Sequence, residues 1–477
     1  MTTVSLPPAK GARSALAAET LDPLRAQLRG ALCLPGDAGY ETSRTLWNAM
    51  ISRRPGAIIR AAGVSDVIGA VNFAREHNLI LAIRGGGHNI AGSAVCEGGL
   101  MLDLTLMKSV RVNPAARTVR VEPGVTLGEL DRETQAFGLA VPVGINSTTG
   151  VAGLTLGGGF GWLSRKHGLT VDNLISADVV TADGKLVHAN EKDNPDLFWA
   201  IRGGGGNFGV VTSFEFKLHP IGREVLAGLV IHPLSEAKAV LQQYRDIMAR
   251  ASDDLACWFV LRQAPPLPFL APEWHGKEIL ALAICYTGDL DKGLAAAAPL
   301  RAIGKPVGEH VGPMPFLAWQ QILDPLLTPG ARNYWKSHNF RTLSDGAIDV
   351  LVKFAEVLPS PECELACAGL GGVINRLKPD ATAYPHRDAN WVLNMHTRWQ
   401  DPAQDQECVQ WTRELFIALK PHATGGWYVN FIPDGETPEG TQEAAFGPNY
   451  ERLVKIKAKY DPQNLFRQNQ NIRPAAL

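Results

Sequence analysis

The stretch Leu79-Ile-Leu-Ala-Ile83-Arg84-Gly-Gly-Gly-His88-Asn89 decides how this chain is read. Five apolar residues in a row, directly after Asn78 closes an amphipathic helix, spell a buried strand. The strand runs straight into three glycines. Such a loop exposes successive backbone N–H groups, a geometry suited to cradling phosphate oxygens. A histidine at its end is held close to the loop's ligand; a histidine that only caps the turn is the alternative.

Working outward, Ala57–Ala61 reads as a strand, and Ser65 caps a helix with Val67, Ile68, Val71, Phe73 and Ala74 on its apolar positions. Residues 21–30 and 44–50 read as short helices. Downstream, Leu100–Leu104, Val110–Val112 and Thr118–Val121 are strand-like, and Thr126 caps a helix that runs through Phe137 and stops at Gly138. Asp178–Thr181 and Leu186–Ala189 form a hairpin about Asp183-Gly184, and Val210–Leu218 is a further strand. After about residue 220, strand-like pieces (Glu224–Ile231, Ala256–Leu261, Ile279–Tyr286) alternate with helical ones (Glu236–Ala249, Leu290–Leu300, Ala347–Val357). That texture is an antiparallel sheet with helices on one face. The tail returns to helix plus coil.

At 477 residues the chain is too long for one hydrophobic core, so two domains are expected. With 46 basic and 47 acidic side chains and no basic tract, neither a nucleic-acid nor a membrane-surface footprint is visible. Seven scattered cysteines contain no C-x-x-C pair and complete no metal set. The N-terminal Ala15–Ala18 patch is too short for a signal peptide, and no apolar run is long enough to span a bilayer. The expectation is a cytoplasmic protein with reduced thiols, no metal and a small-molecule partner.

The 48 glycines are clustered. Gly204-x-Gly206-x-x-Gly209 matches a dinucleotide fingerprint by spacing, but the following Val210-Val-Thr-Ser-Phe-Glu-Phe is a strand pattern, where that fingerprint requires a helix. A nicotinamide-binding Rossmann unit is therefore rejected. Gly144–Gly161 is almost all small residues and too long for a turn. With Arg165, His167, Gly168 and Asp172-Asn173 behind it, it forms a second wall for the ligand of the first loop.

These segments together resemble the FAD-linked oxidases related to berberine bridge enzyme, within the vanillyl-alcohol-oxidase or p-cresol-methylhydroxylase (PCMH) superfamily. Arg84–His88 resembles the family's attachment loop, and Gly144–Gly161 with Leu163–Arg165 and Gly168–Asn173 its long flavin loop. Asp196 to Gly205 with Asn207–Thr212 resembles the segment that closes the FAD domain. Tyr460–Phe466 and Asn469–Pro474 resemble the C-terminal signature.

The resemblance implies an α+β, two-domain PCMH-type FAD-binding fold. An FAD domain would span 1–220 (core about 50–220), and an antiparallel-sheet substrate domain, covered by helices on one face, would span 221–440. The segment 441–477 would return to the FAD domain. It implies flavin contacts from Arg84, Gly85, Gly86, Gly87, His88, Asn89 and Gly92 in the first loop. Gly144, Thr148, Thr149, Gly150, Gly153, Gly157, Gly158 and Gly161 would contribute from the second, and Val211, Asn430 and Asn469 from beyond. His88 would bond to the 8α-methyl of the isoalloxazine.

Many relatives attach FAD a second time through a cysteine. Asn146 stands in that place here, so a single covalent link is expected. Thr149 falls at a position that relatives connect with oxygen access, which leaves oxidase and dehydrogenase both open.

The implied reaction takes a hydride from an alcohol, amine, phenolic or activated C–H compound and passes the electrons to O2 with release of H2O2, as in secondary metabolism. A flavin-dependent dehydrogenase, or a cyclase or isomerase with no net O2 use, is the alternative. A base must take the heteroatom proton. Relatives often use the second tyrosine of a Tyr-x-Asn-Tyr strand, but here the segment reads Tyr428-Val-Asn430-Phe431. Strand alternation predicts Tyr428 and Asn430 on one face and Phe431 on the other. On Asn390–Trp399 a period of two groups Asn390, Val392, Asn394, His396 and Arg398. His396 is the preferred base because a free imidazole titrates near neutrality, with a plain surface histidine as the alternative. Asn394, Tyr428 and Tyr334 (beside Lys336) are the further candidates.

Overall fold

The computed structural model describes residues 3–6, 14–436 and 438–475. The strand that opens the glycine loop is Leu81–Arg84. It pairs in parallel with Leu100–Asp103, which pairs in parallel with Ala57–Arg60, and Ala31–Cys33 completes this four-stranded sheet antiparallel. Leu81, Leu100, Leu102 and Ile59 are sealed under the helix Val64–Glu76, so burial on both faces is why the sequence runs apolar without alternation. That helix begins after Gly63, and Ser65 sits in its first turn rather than capping it. Asp66 instead ties the neighbourhood together, accepting the N–H groups of Arg29, Gly30 and Ala62.

A second sheet of five antiparallel strands runs Leu186–Ala189, Leu174–Val180, Val210–Lys217, Thr118–Val121 and Val110–Asn113. The hairpin about Asp183-Gly184 forms as expected, with Gly184 at φ +77°. Thr126 caps the helix Leu127–Gln135 through a reciprocal box with Glu129. Val210–Lys217 is a strand, so no helix follows Gly209.

The third sheet has seven antiparallel strands, in the order Gly308–Pro315, Glu224–Pro233, Glu278–Tyr286, Leu255–Gln263, Glu364–Gly369, Trp391–Trp399 and Arg332–Phe340. One face carries Phe259, Leu282, Leu365, Leu393 and Met395 into the helices Ala237–Met248, Leu290–Arg301, Asp345–Ala355 and Asp405–Leu419. The other face carries Trp258, Ala368 and Val392 against Phe160, Trp162, Tyr384 and Tyr428. This is the expected α+β arrangement with helices on one face, and the uncovered face is what the glycine loops meet. The tail packs back through the helix Tyr450–Tyr460, whose buried Lys457 pairs with Asp461 and donates to the carbonyls of Asn207 and Phe466. Among the described residues no helix is long and apolar enough to cross a membrane.

Two further expectations differ from the structure. The helix lies at Tyr40–Arg44, not 44–50. Asn48 instead bonds through both ends of its amide to the backbone of Asn333, and this tertiary anchor overrides local propensity. The Tyr428 segment is a short 3-10 turn, Val429–Phe431, not a strand.

Candidate active site

Between the glycine loops and the open face of the seven-stranded sheet lies a cavity of about 340 Å³. Gly85, Gly86, Gly87, His88 and Asn89 form one wall, and Gly144, Thr149, Gly150 and Gly153 form the second. Gly204, Gly205, Gly206, Asn207 and Val211 form the third, closed by Gln468, Asn469 and Gln470 of the tail.

The first two loops press together, backbone on backbone. A Cβ on Gly86 would stand 2.4 Å from the Gly150 nitrogen, and one on Gly150 the same distance from the Gly86 nitrogen. Neither position requires an unusual φ; the requirement is close approach. By contrast, a Cβ on Gly153 or Gly206 would meet no protein atom within 4 Å, although both residues line the cavity. These glycines therefore leave bare backbone facing the space a ligand would fill. Gly86→Ala is expected to lower the melting temperature by a few degrees, as overpacking costs about 1–3 kcal/mol. Gly206→Ala is expected to leave the melt of the flavin-free protein unchanged while lowering flavin content. Melts and the ratio of flavin to protein absorbance check both.

His88 stacks on Trp47, with ring centroids 4.9 Å apart. Trp47 is itself fixed by its N–H on the carbonyl of Gly87 and its indole N–H on Leu327. Burial, and then the Arg84 charge, hold the His88 imidazole down at about 3, so the ring is neutral.

At the far end the lining is aromatic: Phe160, Trp258, Trp335, Tyr428 and Phe431. The sheet contributes Glu364, Ala366 and Ala368 from one strand and Val392, Asn394 and His396 from the next. Glu364 faces His396 in register, and Ala366 faces Asn394. The Glu364 carboxylate is buried. It accepts from Arg262 Nη1 at 2.7 Å and lies 3.4 Å from His396 Nδ1. Burial alone would raise its pKa, but the His396 contact and then the Arg262 charge outweigh burial and hold it below the usual carboxylate range. Asn333 donates through Nδ2 to Ala331, so its Oδ1 accepts from His396 Nε2 at 2.9 Å. Both imidazole nitrogens are thus engaged.

The structure brings His396, Asn394 and Tyr428 together in the cavity with most of the expected flavin contacts, Asn430 and Asn469 included. Tyr428 accepts from the Gly159 N–H and from Asn430, and burial pushes its phenol up to about 12. It stays protonated at neutral pH. The 3-10 turn also brings Phe431 to the same side, its ring 4.9 Å from that of Tyr428.

Other expected residues do not reach the cavity. Arg84 turns away to the Ser43 carbonyl at 2.6 Å. Gly92 is pressed on Ile51, Gly157 on Asn430, Gly158 on Tyr384 and Gly161 on the Val143 carbonyl. Thr148 stands behind His88 on the exposed side. Tyr334 points to the opposite face, where Arg413 donates to its hydroxyl, and Lys336 pairs with Glu436. Sequence reasoning missed Trp47, Trp258 and Glu364. Only Glu364 left a signal, a lone acid in the strand Glu364-Leu-Ala-Cys-Ala-Gly369.

Residues 55–190 match the FAD binding domain family, and residues 427–473 match the family described as berberine and berberine like. An FAD-linked oxidoreductase of Dictyostelium discoideum is 32% identical over 434 residues, covering 90% of this chain and 91% of that protein. The chain belongs to the berberine-bridge-enzyme-like FAD-linked oxidoreductases. It is an enzyme of that family, and FAD is its cofactor. The (R)-6-hydroxynicotine oxidase of Paenarthrobacter nicotinovorans is 30% identical over 461 residues, covering 94% of this chain and 97% of the other. The crystal structure of 6-hydroxy-D-nicotine oxidase from Arthrobacter nicotinovorans superposes with a TM-score of 0.84 at 28% identity, covering 94% and 99% of the two chains. The cavity fits the cofactor. Glycine lines three walls, Gly153 and Gly206 leave bare backbone toward the space, and the Asn469 Oδ1 beside them is buried with no hydrogen-bond partner.

Proposed function

We propose that this enzyme holds FAD through a single covalent bond from His88 and oxidises an aromatic small molecule that carries an O–H or N–H beside the oxidised carbon. When bound, FAD supplies the two-electron acceptor that side chains lack. The second attachment is absent because the Asn146 amide is not a nucleophile, and no cysteine lines the cavity among the described residues.

The aromatic lining selects the substrate. Trp258, Trp335, Phe160 and Phe431 offer flat apolar surface, while the polar groups of the sheet wall are few: Glu364, Asn394 and His396. A sugar buried there would leave hydroxyls without partners, at about 1–3 kcal/mol each. Asn394 Oδ1 is buried and unpartnered, an acceptor available to orient a donor on the substrate. Glu364 takes the heteroatom proton, with Arg262 and His396 fixing its carboxylate. O2 is the terminal electron acceptor and is released as H2O2.

The observation that carries this reading is that Glu364 is the one carboxylate among the described residues lining the cavity, at its aromatic end. The test is anaerobic bleaching of the flavin by 4-hydroxybenzyl alcohol, benzylamine, glucose and cellobiose, followed by peroxide release in air. An aromatic compound is expected to bleach the enzyme fastest, with one peroxide formed per turnover. Preference for either sugar sinks the substrate assignment, and product formed without O2 uptake sinks the oxidase assignment.

A further inference from the structure

Behind His88 a short chain of hydrogen bonds runs from the exposed Thr148 to Asn146 at the cavity wall. Thr148 Oγ1 lies 3.0 Å from His88 Nε2 and 2.7 Å from Asn146 Oδ1. Asn146 Oδ1 also accepts the Thr148 backbone N–H at 3.0 Å. An amide oxygen only accepts, and a hydroxyl has one hydrogen to give. The Thr148 hydrogen goes to Asn146, so Thr148 Oγ1 meets the imidazole as an acceptor. Nε2 therefore carries the ring proton. Nδ1 carries the lone pair, and none of the described residues hydrogen-bonds it. Stacking on Trp47 holds the ring in this orientation. Burial and the Arg84 charge keep it at one proton, against the pull of the Thr148 backbone.

We propose that Asn146 and Thr148 are positioning residues for covalent attachment of FAD, fixing His88 as the Nε2–H tautomer so that Nδ1 is the atom that bonds to carbon. This rests on the reading that His88 is the attachment residue. The position that holds no second link here serves the first one instead.

The Nδ1–C8α bond forms and a C8α–H bond breaks. One proton leaves that carbon and one leaves Nε2, the latter through the Thr148 hydroxyl, which is exposed to solvent. The two electrons reduce the flavin, and O2 takes them with two protons as H2O2.

The test uses full-length protein produced under riboflavin starvation and then given FAD. Attachment is followed by flavin fluorescence of denatured protein on a gel and by the mass of the peptide containing His88. Thr148→Val keeps the shape of the side chain and removes the hydroxyl. It is expected to slow attachment at least about tenfold, the low end for loss of a proton-transfer partner, with reversible FAD affinity unchanged. Thr148→Ser is expected to attach close to the wild-type rate, and Asn146→Leu to be slowed in the same direction. The wild-type bond is expected at Nδ1, read by NMR of the histidyl-flavin released by hydrolysis.

Attachment by Thr148→Val at the wild-type rate overturns the positioning role and leaves His88 as the site. So does a bond at Nε2, or an equal loss of reversible FAD binding. A wild-type peptide with no flavin mass overturns the attachment reading itself, and this inference with it.

Discussion

A His88→Ala enzyme is expected to lose all of its acid-stable flavin: precipitated protein turns colourless, and no peptide carries a flavin mass. The expectation rests on elimination. Among the described residues, the ionisable side chains lining the cavity are His88, Glu364, His396 and Tyr428. His396 has both nitrogens committed to Asn333 and Glu364. Burial keeps Tyr428 protonated, its oxygen already accepting from Gly159 and Asn430, and a carboxylate ester of Glu364 would break the Arg262 pair. The cysteines are all buried outside the cavity, so no thiol competes. Among the described residues lining the cavity, His88 is the neutral imidazole with one nitrogen free of protein partners. Because glycine backbone and the tail asparagine still shape the site, the variant is expected to bind FAD reversibly. A yellow acid precipitate from His88→Ala would end the single-link reading.

Glu364→Gln is expected to lower turnover on the best aromatic substrate by about 10²–10⁴-fold, the usual worth of a positioned general base. The amide retains an oxygen for Arg262, so the buried cation keeps a partner, and flavin content is expected to stay near wild type. The pH profile separates this from a histidine base. The His396 contact and the Arg262 charge hold the Glu364 carboxylate below its ordinary range. Arg398, tied to Glu362, faces the same cluster and adds to the pull. The wild-type rate is therefore expected to hold its plateau through pH 6 and fall only below about 4.3, the ordinary glutamate value. His396→Ala removes one support of the carboxylate and is expected to move the acid limb upward, toward that ordinary value. An acid limb near 6.5 in the wild type, with Glu364→Gln nearly as active, would reassign the base to His396.

The strand, the triple glycine and His88 were legible because each is a local property. A buried parallel strand needs an unbroken apolar run, and a backbone that approaches a ligand needs glycine. Several such segments in one order identified the family. Gly85–Gly87, Gly150 and Gly153 all line the cavity wall, and of these Gly153 faces open space while Gly86 and Gly150 make room for each other's backbone. The same logic overreached at Gly157, Gly158 and Gly161. Glycine there makes room for Asn430, Tyr384 and a carbonyl, and a sequence does not distinguish space for a cofactor from space for a neighbouring side chain.

The substrate end was not legible, for reasons of register. Alternation correctly grouped Val392, Asn394 and His396, but which residue stands opposite each depends on pairing strands some 30 positions apart, as Glu364 with His396. That pairing occupies one nitrogen of His396, and Asn333 on the strand at its other side occupies the second. Likewise, a 3-10 turn where a strand was expected moved Phe431 to the same side as Tyr428.

The sequence by itself determined the cofactor class, the attachment residue to be tested and the lack of a second attachment cysteine, since these depend on residue identity within short segments. Only the tertiary structure decided which acid meets the cavity, which nitrogen of His88 is free and which aromatic rings form the wall. Those are set by contacts between residues far apart in the chain, where packing and hydrogen bonding, not local pattern, fix each side chain.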